Sequence, residues 1–237
     1  MTKIGYSLIA STLLFSNLSA DPFITHVELS YMNASGNSET DTFAMKSDFL
    51  KKLDDIKSLK GKATGIYVTD VVGNETANKF YVEGEYNHKV SDNFFGFLKT
   101  NYTVDKFSGF DYRLNIGPGI GYQVPISNKA HNLGFSLGIA YSQDKANDKN
   151  TSEDYSSGSV DIKYIWTISD SLKLKQDVLY QQDFEDSENY SGKSVTAFEH
   201  KLSTLLSLGI SYSVNYQHDA PAKDIDRLFL TSLIIDY

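Results

Sequence analysis

Within residues 205–217, LLSLGISYSVNYQ, positions 206–217 alternate without exception. Leu206, Leu208, Ile210, Tyr212, Val214 and Tyr216 take the even positions, and Ser207, Gly209, Ser211, Ser213, Asn215 and Gln217 the odd ones. A period of two puts one apolar and one polar face on an extended strand. A soluble sandwich and a membrane barrel both satisfy that pattern, so the rest of the chain must decide which medium the apolar face meets.

Twelve strand-like segments are expected, at 25–34, 40–51, 59–69, 78–88, 94–105, 110–124, 132–143, 157–168, 171–182, 194–203, 205–217 and 226–237. In 132–143, Leu133, Phe135, Leu137, Ile139 and Tyr141 oppose Gly134, Ser136, Gly138, Ala140 and Ser142. In 157–168, Val160, Ile162, Tyr164, Trp166 and Ile168 oppose Asp161, Lys163 and Thr167. Segments 40–51 and 94–105 alternate poorly. A chain of 237 residues suffices for one all-β barrel, and no cysteine is present to build a disulfide framework or thiolate metal site.

The first twenty residues differ from all that follow. Lys3 gives a basic start, Ser7 to Phe15 form a short apolar core, and Ser19-Ala20 precede Asp21-Pro22. This reads as a secretory signal peptide, 1–20, cleaved after Ala20 and leaving 21–237 as one barrel domain. Its apolar stretch is too short for a helix to span a bilayer core of ~30 Å. The remainder carries 21 basic and 30 acidic side chains, a balance that argues against a nucleic-acid partner.

The connections carry information as well. Those after the second, fourth, sixth, eighth and tenth segments are mostly compact. Those after the third, seventh, ninth and eleventh are expected to be longer and richer in charge, glycine or asparagine. Outer-membrane barrels show this parity, with short periplasmic turns and longer external loops, whereas a Greek-key sandwich has no reason to. The last strand places Phe229, Leu233, Ile235 and Tyr237 on one face and ends on an aromatic. That ending looks like the signal read by the barrel-assembly machinery. Tyr112, Tyr122, Trp166, Tyr212, Tyr216 and Tyr237 are expected as interfacial girdle residues. The expected fold is therefore a single antiparallel up-and-down transmembrane β-barrel with lipid as its outer partner. It alone lets strands satisfy every backbone group in hydrocarbon.

Three stretches, VELSYMNASGNSETDTF at 27–43, DKFSGFDYRLNIGPGIGYQV at 105–124 and FLTSLIIDY at 229–237, resemble the YdiY-like family of bacterial salt-induced outer membrane proteins. The most specific piece is Lys106-Phe107-Ser108-Gly109-Phe110-Asp111-Tyr112-Arg113, with Lys106 where the family pattern has arginine. The resemblance implies an outer-membrane β-barrel. It implies no established reaction, ligand or catalytic residue.

With the apolar face toward lipid, the opposite face lines a lumen. Its candidates are Lys60, Lys62, Glu83, Glu85, Arg113, Asp161, Lys163, Lys173, Lys175, Asp177, Glu199 and Lys201, joined by His26 and Glu28. Turning the chain at Ser169-Asp170-Ser171 sets Trp166 opposite Leu174 and Lys163 opposite Asp177. The expectation is a ladder of mixed charge, serving either as structural ion pairs that hold a narrow lumen or as an ion-selective constriction.

No constellation points to an enzyme. The five histidines, His26, His88, His131, His200 and His218, show no metal-ligand spacing. The His-x-Ser pairing of outer-membrane phospholipases is absent, and His218-Asp219 is a solvated loop pair. Gly117, Gly119 and Gly121 alternate on a strand with no helix to follow, so they mark close packing or curvature rather than a phosphate loop. No cofactor is expected. The favoured reading is a narrow passive channel or envelope-maintenance protein. The alternatives are an outer-membrane lipid or peptide hydrolase and a soluble exported barrel that binds a ligand.

Overall fold

The computed structural model describes residues 23–237 apart from 35–39, 108–109, 147–151 and 219–224, so the expected signal peptide lies outside it. Twelve strands follow in chain order: β1 (Phe23–Ala34), β2 (Thr40–Lys52), β3 (Lys57–Asp70), β4 (Glu75–Lys89), β5 (Phe94–Asp105), β6 (Phe110–Gln123), β7 (His131–Ala146), β8 (Ser152–Thr167), β9 (Leu172–Asp183), β10 (Tyr190–Lys201), β11 (Leu206–Gln217) and β12 (Ile225–Asp236). Each pairs antiparallel with its chain neighbours, and β1 pairs with β12 to close the barrel. All twelve expected segments are strands.

Alternation fixes which side chains face out. Along β11, Leu208 and Ile210 are exposed while Ser207 and Gly209, which alternate with them, are buried. Ladder register carries the same parity around the circle, and Ile116, Ile120, Leu137, Ile139 and Leu233 join the exposed set. Ile139 keeps 60 % of its surface exposed and Ile120 keeps 55 %. A continuous apolar wall of this kind is intolerable in water and is what hydrocarbon requires.

Aromatic pairs gather near the strand ends. Phe94 and Tyr122 lie 4.9 Å apart between ring centroids, and His131 stacks on Trp166 at 5.7 Å, close to the short turns. Toward the opposite rim, Tyr102 stacks on Tyr112 at 5.6 Å and Tyr190 on His218 at 4.8 Å. Tyr212 departs from the expected girdle: it sits mid-strand, opposite Thr196 and Phe229.

Loop lengths differ from the sequence expectation. The third connection is only 71–74, and β7 and β8 extend through much of the charged stretch expected as a long loop. Lys145 still pairs with Ser152 there. Polar residues in an extended hairpin keep their ladder hydrogen bonds, so beyond the apolar belt a strand continues without any hydrophobic alternation to reveal it. At the tip of β3, the Asp70 carboxylate accepts the backbone N–H groups of Val72 (3.0 Å) and Asn74 (2.8 Å), and Gly73 supplies the left-handed backbone at φ 85°.

Of the two poorly alternating segments, β2 carries the polar Ser47 on its outer face, between Val27 and Ala63, and β5 carries aromatic rings on part of its inner face. Phe95 and Phe97 on β5 point inward, where Gly121 and Gly119 on β6 leave space for their rings. A Cβ at Gly121 would lie 2.0 Å from the Phe95 ring, and one at Gly119 2.0 Å from that of Phe97. Gly117 allows a closer approach still, since its Cβ would lie 1.9 Å from the Ile139 carbonyl oxygen. The alternating glycines are thus sockets for aromatic rings and for the neighbouring backbone.

Candidate functional site: the charged inner face

The ladders bring charged residues from most of the strands onto the inner face. Lys60 pairs in register with Glu85, and Lys62 with Glu83. Lys163 stands opposite Asp177, Lys173 opposite Glu199, Lys175 opposite Ala197, and Lys201 opposite Ser207. Arg113 lies between Thr103 and Asp144, and Asp161 between Ser136 and Leu179.

Contacts then sort themselves somewhat differently from the ladder. Lys60 donates to Glu85 at 3.0 Å. Lys163 reaches Asp161 of its own strand at 3.7 Å, whereas its ladder partner Asp177 forms no ion pair with it at contact distance. Glu199 takes Lys175 rather than its ladder partner Lys173. The carboxylate of Glu83 accepts the Tyr81 hydroxyl, which leaves Lys62 without an ion pair to a described residue. Side chains two apart on one face, or diagonal across a ladder, are as reachable for lysine as the residue directly opposite.

The tightest cluster lies toward the rim opposite the short turns. Arg113 grips Asp144 with two nitrogens, Nε at 2.8 Å and Nη2 at 2.6 Å, and the Tyr155 hydroxyl donates to the same carboxylate at 3.1 Å. The Asp144 side chain is almost fully buried, and the fork geometry suits guanidinium alone. Below it, Ser142 donates to Asn115 at 2.6 Å and shares a hydrogen bond with Ser157 at 2.8 Å. Asp144 went unrecognised because it falls in the stretch expected as a loop; only knowledge that β7 continues to Ala146 exposes its pairing with Arg113.

A second cluster lies near the seam of β1 and β12. His26 contacts Asp236 at 2.6 Å through Nδ1 and Glu28 at 2.8 Å through Nε2. Lys46 donates to Glu28 at 2.6 Å and approaches Asp48 at 3.1 Å. His26, Glu28 and Glu199 also come close enough to share one cation. Their chemistry does not favour one, because Lys46 already holds Glu28 and Lys175 already holds Glu199. Lys46, Asp48, Lys79, Lys99 and Lys193 are further inner-face charges that pattern reading missed; the parity of their strands, once registered, would have found them.

The inner face is not packed solid. The Lys163 side chain keeps 62 % of its surface accessible, and Lys60 keeps 47 %, although both point into the barrel. Lys60 lies 5.6 Å from the centroid of Phe95, and Lys99 5.4 Å from that of Phe97, so aromatic rings flank the basic side chains.

A family model described as a protein of unknown function, DUF481, matches residues 27–237. No curated protein matches the chain. Solved structures do resemble it in fold. An outer membrane channel from Pseudomonas putida F1 is 8 % identical, covering 92 % of this chain and 96 % of its own, at a TM-score of 0.57. The NanC porin is 13 % identical over 90 % of this chain and 97 % of its own, at 0.52. The translocator domain of the autotransporter NalP from Neisseria meningitidis is 10 % identical over 97 % and 92 %, at 0.51.

Proposed function

We propose that this chain, which belongs to the DUF481 family of proteins of unknown function, is a narrow passive channel of the bacterial outer membrane. The observation that carries the proposal is the exposed, charged inner face. Lys60 and Lys163 point into a closed barrel yet keep about half or more of their side-chain surface accessible. A barrel with twelve strands is narrower than the large porins and wide enough to retain aqueous space between its side chains. Lys60, Lys62, Glu83, Glu85, Asp161, Lys163, Lys173, Lys175, Asp177, Glu199 and Lys201 line that space in this reading. Arg113 braces its far end through Asp144. No step of chemistry is assigned to any of them.

The location belongs to the same reading. The apolar wall meets lipid, the chain is exported by a signal peptide removed after Ala20, and the final strand ending at Tyr237 is the assembly signal. Mass spectrometry of the protein recovered from outer membranes tests the cleavage; an N-terminus at Asp21 is expected.

Liposome swelling tests the function. Vesicles carrying the refolded protein should swell in small neutral solutes and progressively less in larger sugars. Swelling equal to that of empty vesicles, with the barrel shown to be folded, contradicts the proposal.

A further inference from the structure

Within the outer-membrane reading, on which this inference rests, the wall is unevenly fastened along its closing seam. β1 and β12 pair from His26–Asp236 to Ser30–Ser232, and among the described residues their register goes no further. Beyond it Met32, Asn33 and Ala34 pair with β2 alone, and Ile225 to Leu230 with β11 alone. The half of the seam near the short turns is laced by a ladder, and the half toward the opposite rim is not. Phe229, exposed at 48 %, places part of the unlaced stretch within the apolar belt. Backbone without a ladder partner is tolerated at that depth only against protein or a cavity. The inner side of the stretch is apolar. Leu228 and Leu230 lie half-buried on the face opposite Phe229, in register with Ser213 and Ser211 of β11. Met32 continues the inward face of Ser30 on β1. Across β2, Ile66 and Val68 of β3 stand opposite Ala44 and Thr42, which are buried. Strands β12, β1, β2 and β3 are consecutive around the barrel, so these five side chains make one apolar lining behind the unpaired edge.

We infer that the unlaced half of the β1–β12 seam is a lateral portal, through which apolar and amphipathic solutes pass between the lumen and the lipid. Parting the strands there breaks no ladder. The other half stays closed through five residue pairs, the Ser30–Ser232 hydrogen bond at 2.8 Å and Ile234 at 1 % exposure. A solute with a hydrocarbon chain exchanges lipid for Leu228, Leu230, Met32, Ile66 and Val68 at little cost, whereas a sugar or an ion must shed its water to follow. The portal is thus a second route, distinct in chemistry from the aqueous channel.

The test follows entry of N-phenylnaphthylamine, an apolar dye that fluoresces in lipid, into bacteria carrying the full chain in their outer membrane. Wild type is compared with Met32→Cys/Leu230→Cys and with Leu228→Asn/Leu230→Asn, each shown to be folded by its migration on an unboiled gel. A continued register would set Met32 opposite Leu230, and the chain has no cysteine of its own, so their disulfide laces the seam. Wild type should speed dye entry over cells without the protein. Oxidation of the cysteine variant should abolish that gain and dithiothreitol restore it, and the asparagine variant should admit dye roughly tenfold more slowly. Liposome swelling in small sugars should be the same in all three. Dye entry unchanged by both variants, or no faster than without the protein, overturns the portal; swelling that persists then leaves the channel standing, and its absence overturns the channel as well. Dye entry that responds to the disulfide without any swelling upholds the portal and overturns the channel. Where one variant fails to cross-link or to fold, the other decides.

Discussion

Thr25 and Tyr237 exchange both of their backbone hydrogen bonds, N–H to oxygen at 2.8 and 2.9 Å, and so join the chain's final residue to its first described strand. The register they begin runs only from His26–Asp236 to Ser30–Ser232, against twelve pairs between β1 and β2. Closure therefore depends on a short seam, and side chains reinforce it. Ser30 and Ser232 share a 2.8 Å hydrogen bond, and Ile234 lies beneath at 1 % exposure.

Ile234→Ala removes the most buried large side chain at that seam and should destabilise the barrel by about 2–4 kcal/mol. Urea unfolding in detergent, followed by tryptophan fluorescence of Trp166, measures it. Ile235→Ala, one residue on but facing outward, should cost less in a lipid or detergent environment.

Gly121→Ala should destabilise by driving its new methyl group into the Phe95 ring, the source of all three of its nearest atoms. Adding Phe95→Ala should recover much of the loss, a favourable coupling of about 1 kcal/mol or more in a double-mutant cycle. Gly119→Ala should recover less with Phe97→Ala, because its methyl would also lie 2.6 Å from the Leu137 carbonyl oxygen, which no side-chain truncation removes.

Asp144→Asn should cost about 2–3 kcal/mol, since it weakens the charge-assisted fork and strips Arg113 of a buried counter-charge. Arg113→Lys should fall between wild type and Asp144→Asn: the charge survives, but the two-nitrogen grip is lost. Guanidinium unfolding midpoints of the three proteins test that order.

The turn between β2 and β3 carries a pH dependence. Asp54 accepts the backbone N–H of Ile56 at 2.9 Å and of Lys57 at 2.7 Å, and these bonds, with the Lys57 ammonium, hold its carboxyl below the ordinary range. A depressed folded value means the turn's contribution is present above the unfolded value and fades as pH falls through the folded one. The urea unfolding midpoint of wild type should therefore exceed that of Asp54→Ala at pH 6, with the difference shrinking toward pH 3. A difference independent of pH would show that the carboxylate is not the cause.

Much of the fold was written in the chain because an apolar outer face and a largely polar inner face impose a two-residue period on every strand that crosses the belt. That signal carries Leu206 to Gln217 and Leu133 to Ser142 without ambiguity. It fails where the inner face is apolar, as with Phe95 and Phe97, whose sockets at Gly121 and Gly119 belong to another strand. It also fails beyond the belt, where Asp144 remains in a strand for reasons of ladder pairing alone. Charge pairing was legible only as register. Lys163 opposite Asp177 followed from a tight turn at 169–171, but the contact of Lys163 with Asp161 depends on how long side chains settle in a hollow interior. Lys193, with no charged ladder neighbour, offered no pairing to notice.

Single-channel conductance of the refolded protein in a planar bilayer, wild type beside Lys163→Ala, tests the central claim most directly. The hollow, charged inner face predicts discrete current steps, altered in size or selectivity when the exposed Lys163 ammonium is removed. A protein that is demonstrably folded and inserted yet passes no current would contradict it, and would make the inner charges structural ion pairs in a closed barrel.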